Sequence, residues 1–232
     1  MQDNDFSGML LLDKPIGIAS FKAVYIIRKT LNAKKCGHCG TLDPIASGLL
    51  LVLINKAAKL QDKFMKQDKV YSSSFLLGTT TDSLDLSGKI IEQKDFSKIK
   101  LDDIKKAIKT FIGEIEQIPP MFSAIKIGGK RLYKLARQGI SIERKPRKVK
   151  VHNIEILSFA PPILNLRIEC SSGTYIRTLS DDLGKVLGCG AVVQGLRREK
   201  IGNFDIKDAI NQDDFRNIDK IKNKTIPMSS LL

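Results

Sequence analysis

The longest uninterrupted apolar stretch of this chain, residues 49–54, contains only six residues, and this length constrains the fold. A membrane-spanning helix needs about 20 apolar residues, whereas a run of six is typical of an interior β-strand. Elsewhere, apolar residues recur at helical spacing, as at Val24, Ile27 and Leu31. Strands and helices that interleave without a strict βαβ order indicate an α+β fold with a mixed or antiparallel sheet. No membrane segment is expected.

Turn residues and hydrophobic periodicity predict the main elements. Strands are predicted at residues 8–12, 49–54, 71–77, 149–157 and 163–170. Helices are predicted from Ser20 onward, around residues 101–111 and at residues 175–187. Ser20 is predicted to be the N-cap of the first helix, and Gly188 to end the last. Because no linker-like composition divides the chain, we expect one domain over residues 1–232.

The charge of the chain indicates a polyanionic partner. Lys and Arg number 39 against 25 Asp and Glu, which gives a net charge of +14. Such a surplus is typical of nucleic-acid-binding proteins, and the alternative is that it only increases solubility. Four cysteines are too few and too unevenly spaced for a disulfide scaffold. The N-terminus does not resemble a signal peptide, so we expect a cytoplasmic protein.

Much of the positive charge lies in one segment, residues 119–150, which we call the arm. From Met121 to Lys150 there are ten Lys and Arg residues and a single acidic residue, Glu143. Gly128-Gly129 predicts a tight hairpin turn, and a short helix is predicted before Gly139. The arm is therefore predicted to be an inserted basic excursion with structure of its own.

The sequence offers little support for metal or common hydrolase chemistry. Cys36-Gly-His-Cys39 has the thiol spacing of a zinc site, but a second ligand pair with suitable spacing is missing. The P-loop, nucleophile-elbow and HExxH patterns do not occur. We therefore predict that no metal is bound.

A polar, glycine-punctuated loop, residues 37–48, precedes the apolar run. Within it, Asp43 stands before Pro44, which keeps the aspartate out of the α region and presents its carboxylate from extended backbone. On spacing alone, an Asp-Pro pair is more often a turn than a catalytic group.

Five ordered motifs resemble those of one enzyme family. The run Gly40-Thr-Leu-Asp-Pro-Ile-Ala-Ser-Gly-Leu-Leu50 resembles the catalytic motif of the TruB family of tRNA pseudouridine synthases. The other four motifs are Leu10-Leu-Leu-Asp-Lys-Pro15, Asp68-Lys-Val-Tyr71, Gly173-Thr-Tyr-Ile-Arg177 and Gly195-Leu-Arg-Arg198. The arm resembles the RNA-gripping thumb of that family.

This resemblance implies the α+β pseudouridine synthase fold, a long mixed and mainly antiparallel sheet flanked by helices. It also implies a reaction that needs no cofactor and no metal. The substrate would be uridine 55 in the T-loop of tRNA, isomerised to pseudouridine after the base is flipped out. Asp43 would be the catalytic carboxylate, acting as nucleophile or base. Arg177 would pair with it, and Tyr71 would stack on the flipped base and assist removal of the C5 proton. The alternatives are a solvated arginine and a core tyrosine.

Further residues are implied to contact RNA or to line its pocket: His38, Lys14, Tyr175, Leu196, Lys126, Lys130, Arg131 and Arg137. His38 would read the T-loop, and Tyr175 and Leu196 would form the pocket wall, unless they serve only as core packing. Lys14 and the arm cations would contact phosphates. Their alternative is a solvated basic face.

The sequence also departs from the family pattern. Cys39 and Gly195 stand where many relatives carry threonine and a bulkier residue. Many relatives continue beyond the position of Leu232 into a small RNA-binding domain, so a separate PUA-type domain is expected to be lacking.

We expect a monomer that binds the tRNA T-stem-loop. Two alternatives stay open, a non-catalytic tRNA-binding or folding chaperone and a pseudouridine synthase for another RNA.

Overall fold

The computed structural model describes residues 6–232 as strands and short helices. The strands are β1 (Gly8–Lys14), β2 (Cys36–His38), β3 (Ala46–Ile54), β4 (Lys69–Leu77), β5 (Thr79–Thr81), β6 (Ile90–Gln93), β7 (Gly113–Gln117), β8 (Lys126–Ile127), β9 (Lys130–Arg131), β10 (Arg147–Ala160), β11 (Ile163–Cys170), β12 (Ala191–Ile201), β13 (Phe204–Asp205) and β14 (Ile226–Pro227). The helices are α1 (Ser20–Thr30), α2 (Gln61–Met65), α3 (Leu101–Lys109), α4 (Leu132–Ala136), α5 (Ile176–Leu187) and α6 (Ile218–Lys224).

These elements confirm the predicted α+β class and the main predicted strands and helices. Gly188, in the left-handed conformation with φ of 79°, ends α5 as expected. The expectation for Ser20 is wrong, because Ala19 is the N-cap of α1 and no side chain caps that end. Across residues 6–232, no helix is long and apolar enough to cross a membrane.

Contacts group the described chain into two compact units, and their boundary falls within β4 and β12. The first unit holds residues 6–71 and 196–232, with strand order β14-β1-β3-β12. Strand β3 is antiparallel to β1 and β2 but parallel to β12. The predicted mixed sheet is therefore confirmed at β3.

The apolar run in β3 is buried on both faces of the first unit's sheet. Leu50, Val52 and Ile54 pack with apolar residues of β1, α1 and α6. Leu49, Leu51 and Leu53 belong to a second core cluster on the other face. This two-sided burial explains why β3 is continuously apolar instead of alternating.

The second unit holds residues 72–195, with strand order β12-β4-β11-β10-β7. Strand β10 pairs antiparallel with β11 and with β7. Helix α3 turns Ile104, Ala107 and Ile108 inward, and it packs beside α5. Apolar spacing of this kind buries one face of a helix while its lysines stay in water.

The arm is ordered within the second unit. Strands β8 and β9 form the predicted hairpin, with Gly128 and Gly129 at positive φ. Helix α4 follows, and it buries Leu132 and Leu135. At the base of the arm, Arg144 Nη1 donates to the Pro119 carbonyl at 3.2 Å and so connects its two ends.

Candidate active site

Asp43 lies in the loop between β2 and β3 and is half-buried. The loop is held at three successive carbonyl groups. The Ser20 hydroxyl donates to the Leu42 carbonyl at 2.9 Å, and the Ala46 N–H donates to the Asp43 carbonyl at 3.0 Å. The Gly17 N–H donates to the Pro44 carbonyl at 2.7 Å. The main chain on both sides of Asp43 is therefore fixed by hydrogen bonds.

Arg198 joins the two ends of this loop. Its side chain is only 1% exposed, and its Nε donates to the Leu49 carbonyl at 2.8 Å. Its Nη2 donates to the Gly40 carbonyl at 3.1 Å. At Gly48, which has φ of 107°, an added Cβ would lie 2.3 Å from the Arg198 carbonyl oxygen. Glycine is needed there because β3 and β12 approach each other so closely.

Lys14 lies fully inside the first unit. Its side chain is 0% exposed, and Nζ donates to the carbonyls of Pro15 and Ile18, both at 2.8 Å. Burial lowers the pKa of Lys14 to about 8, the Asp43 carboxylate opposes that shift, and Arg198 adds to it. The predicted phosphate contact of Lys14 stays a prediction, and it requires the buried ammonium to become accessible to RNA.

His38, at the end of β2, is half-buried and electrostatically disfavoured as a cation. Burial, and then the Arg198 charge, lower the pKa of His38 below its usual value. Its Nδ1 atom is buried and has no hydrogen-bond partner among the described residues. A neutral imidazole with an unused ring nitrogen can still donate or accept one hydrogen bond.

Tyr71 and Leu196 occupy strand positions in the first unit. Tyr71 is at an inward position of β4, whose residues alternate between buried and half-buried. Leu196 of β12 pairs with Ala46 of the parallel strand β3. Ala46 lies three residues after Asp43 in the chain. Leu196 is half-buried.

Arg177 lies in the first turn of α5, in the second unit. It is 4% exposed, so the alternative of a solvated arginine is wrong. Its Nη1 donates to the Ser83 carbonyl at 2.8 Å and its Nη2 to the Phe122 carbonyl at 2.7 Å. Nη1 also lies 3.8 Å from Asp85 Oδ2. The pairing of Arg177 with Asp43 stays a prediction.

Tyr175, the N-cap of α5, is held by a buried glutamine that the sequence analysis missed. The Tyr175 N–H donates to Gln117 Oε1 at 3.0 Å, and Gln117 Nε2 donates to the Tyr175 carbonyl at 3.3 Å. Gln117 is the last residue of β7, two residues before the arm begins. Its burial is seen only in the structure, so nothing in the sequence signalled this contact.

The predicted phosphate-binding cations of the arm are exposed. Lys126, Lys130 and Arg131 lie in the β8–β9 hairpin. Arg137 follows α4, with its guanidinium carbon 5.6 Å from the centroid of the Tyr133 ring. Exposed cations are free to bind phosphates, so these contacts stay a prediction.

The thiols are not arranged as a metal site. Burial raises the pKa of Cys36 to about 11 and that of Cys39 to about 12, so both are thiols near neutral pH. Cys170 and Cys189 are buried and are not joined in a disulfide. In the part of the chain that the structure describes, no three His, Cys, Asp or Glu side chains form a group that could hold a metal ion.

Comparison with known proteins decides the family. A sequence model described as "TruB family pseudouridylate synthase (N terminal domain)" matches residues 28–176. The chain also aligns with tRNA pseudouridine synthase B of Endomicrobium trichonymphae at 61% identity, over 97% of this chain and 98% of that protein. The chain belongs to the TruB family of pseudouridylate synthases. It is therefore an isomerase.

Other TruB-family relatives give the same result. tRNA pseudouridine synthase B of Nitrosococcus oceani is 42% identical over 100% of this chain and 77% of that protein. A second model, "tRNA pseudouridylate synthase B C-terminal domain", matches residues 177–231. These residues include α5 and β12, so the match begins inside the second compact unit.

Solved structures extend the likeness of this TruB-family synthase to its fold. A "Cbf5-Nop10-Gar1 Complex" contains a chain with TM-score 0.75 and 29% identity, over 98% of this chain and 66% of that one. An "H/ACA RNP bound to a substrate RNA containing 2'-deoxyuridine" gives TM-score 0.70 and 28% identity, over 95% and 59%. The chain thus spans about three fifths to two thirds of those structures. The pseudouridine synthase fold is confirmed.

Proposed function

We propose that this TruB-family synthase converts uridine 55 in the T-loop of tRNA to pseudouridine, with Asp43 as the catalytic carboxylate. The observation that carries the proposal is the loop at Asp43, whose main chain is held on both sides and whose ends are joined by Arg198. Such preorganisation is what a reacting group needs. The relatives named tRNA pseudouridine synthase B support tRNA as the substrate.

The reaction rearranges one nucleotide without a net change in composition. The bond between N1 of the base and C1′ of the ribose breaks, and a bond between C5 and C1′ forms. The hydrogen on C5 leaves as a proton, and N1 ends protonated. An ionised carboxylate can serve this reaction as nucleophile or as base. The proposal therefore needs no oxidant, reductant or cofactor.

The electrostatic setting of Asp43 suits such a role. Lys14 and Arg198 are both buried in the same unit. The charge of Arg198 lowers the pKa of Lys14, and the charge of Asp43 raises it. Neighbouring cations stabilise an ionised carboxylate. Arg177 stays the predicted partner of Asp43, since a guanidinium suits pairing with a carboxylate.

The binding residues are proposed from their positions. His38 is only half-buried, and this partial exposure supports a contact between its ring and the T-loop. Tyr71 is proposed to stack on the flipped base, and Tyr175 and Leu196 to line its pocket. The arm cations would bind phosphates of the T-stem-loop. A cytoplasmic monomer is proposed as the working state.

Mapping of pseudouridine in an unmodified tRNA transcript tests the substrate. After incubation with the protein, carbodiimide modification and primer extension should show a single stop that reports position 55. A transcript with cytidine at position 55 serves as the matched control and should show no stop. Modification at other positions only, or in a ribosomal RNA fragment but not in tRNA, would contradict the proposal in favour of another RNA substrate.

A further inference from the structure

The hydroxyl of Ser20 has a use that helix capping does not explain. Ser20 is the first residue of α1, but Ala19 is the N-cap, and that cap has no side-chain hydrogen bond. The Ser20 side chain is instead turned toward a residue 22 positions away. Oγ accepts from the Leu42 N–H at 2.8 Å and donates to the Leu42 carbonyl at 2.9 Å.

Both partners of this contact are buried, so it cannot be replaced by water. Ser20 is 1% exposed and Leu42 is 3% exposed. A buried main-chain N–H or carbonyl that loses its partner costs more than the hydrogen bond itself contributes. One hydroxyl thus satisfies both polar groups of the residue directly before Asp43.

The same connection between β1 and α1 also holds the residue after Asp43. Pro44 has no N–H, so its carbonyl is its only main-chain hydrogen-bonding group. That carbonyl accepts from the Gly17 N–H at 2.7 Å. Gly17 has φ of 90°, a conformation that favours glycine. The residues on both sides of Asp43, Leu42 and Pro44, are therefore hydrogen-bonded to one short segment, residues 17–20.

We propose that Ser20 is a positioning residue for Asp43, and that with Gly17 it forms a clamp that sets the direction of the carboxylate for the reaction. The inference rests on the proposed function, in which Asp43 reacts with the nucleotide. Ser20 itself touches main chain and not substrate. Its loss should therefore slow the chemical step and leave RNA binding unchanged, since misplacement of a reacting group lowers the rate of reaction.

The test compares Ser20→Ala with Thr30→Val. Thr30 is a matched control, because it lies in α1 and its hydroxyl donates to a distant main-chain carbonyl, that of Phe215, at 3.1 Å. The measured quantities are the single-turnover rate constant on a T-stem-loop RNA, its Kd and the melting temperature. Ser20→Thr, which keeps the hydroxyl, tests rescue.

We expect Ser20→Ala to lower the single-turnover rate about tenfold or more, with the Kd unchanged and the rate largely restored in Ser20→Thr. Thr30→Val should keep the wild-type rate. If Ser20→Ala does not fold, Ser20→Cys replaces it, because a thiol keeps the volume but forms weaker hydrogen bonds. A wild-type rate in folded Ser20→Ala or Ser20→Cys, or a loss confined to the Kd, would overturn the proposal.

Asp43→Asn is measured in parallel to separate the two claims. An inactive Asp43→Asn beside a fully active Ser20→Ala would refute the clamp and leave the proposed function standing. An active Asp43→Asn would refute the proposed role of Asp43 whatever the Ser20 variants do.

Discussion

Four buried cations of the described chain donate hydrogen bonds to main-chain carbonyls of loops or turns: Lys14, Lys69, Arg177 and Arg198. Burial of a charge is costly unless the charge is hydrogen-bonded. Here each cation contacts two carbonyls, so its charge also holds the path of the main chain. We infer that these cations set the positions of the loops as well as contributing to stability.

At the residue scale, Arg177→Lys tests this role of a buried guanidinium. Lysine keeps the charge but loses the planar fork that reaches the Ser83 and Phe122 carbonyls together. We expect a loss of about 2–3 kcal/mol in the free energy of unfolding and a tenfold or greater loss of turnover, measured by urea unfolding and single-turnover kinetics.

Arg28→Lys is the control for that variant, since the Arg28 hydrogen bond to the Ala33 carbonyl is exposed. It should leave both quantities close to wild type. Unchanged turnover in Arg177→Lys would count against the predicted pairing with Asp43.

Lys14 gives a prediction for the pH dependence of stability. Burial lowers its pKa from the usual 10.5 to about 8. Between those values the unfolded chain holds a proton on Lys14 that the folded chain has released, so the free energy of unfolding rises with pH. Below pH 8, both states are protonated and the contribution is constant.

Urea unfolding of wild type and Lys14→Met at a series of pH values measures this contribution. The buried cysteines are present in both proteins, so their titration cancels in the difference. The stability of the wild type relative to the variant should increase between about pH 8 and pH 10.5. A flat difference over this interval would mean that Lys14 keeps its usual pKa in the folded chain, and a decreasing difference would mean that its pKa is raised; either result contradicts the prediction.

At the residue scale, the sequence predicted the types of the site residues better than their contacts. Asp43 was predicted to lie in a loop before the apolar strand, and the structure confirms that loop. Its catalytic role stays a prediction. Ser20 was assigned to its own helix, because a serine before an amphipathic segment is typical of an N-cap. Its partner is 22 residues away, and no local pattern encodes a contact of that kind.

At the element scale, the strands and helices with strong periodicity were predicted, and their partners were not. Residues 49–54 are an interior strand because both faces are apolar. The parallel pairing of β12 with β3, which sets Arg198 opposite Gly48, joins strands about 150 residues apart. Pairing at such a separation depends on the whole fold.

The arm is the element whose function can be tested by charge alone. A triple variant with Lys126, Lys130 and Arg131 changed to Gln removes three exposed cations from the β8–β9 hairpin. We expect weaker T-stem-loop binding. We also expect the slope of log Kd against log salt concentration to be shallower by up to about 2–3, because binding releases fewer counterions when phosphate contacts are lost.

A triple variant of Lys105, Lys106 and Lys109 on α3, each changed to Gln, is the matched control. It removes the same charge from another exposed face of the second unit. Its salt dependence should equal that of the wild type. Equal salt dependence in all three proteins would mean that the hairpin makes no phosphate contact.

At the scale of the whole molecule, the net charge of +14 and the ordered motifs pointed to an RNA-modifying enzyme, and family membership confirms the enzyme class. The prediction of one domain over residues 1–232 stays a prediction. Contacts group the described chain into two compact units. Contacts between residues far apart in sequence define these units, and composition does not reveal such contacts.

The central claim is that Asp43 is required to isomerise uridine in the T-loop. Its most direct test is the release of tritium from a T-stem-loop RNA that carries 5-tritiated uridine, because the C5 hydrogen must leave when the new bond forms. Wild type and Asp43→Asn are compared at matched folded fraction and RNA occupancy. The account predicts release by the wild type and none by Asp43→Asn. Equal release by both proteins, or tight RNA binding without release by the wild type, would contradict it.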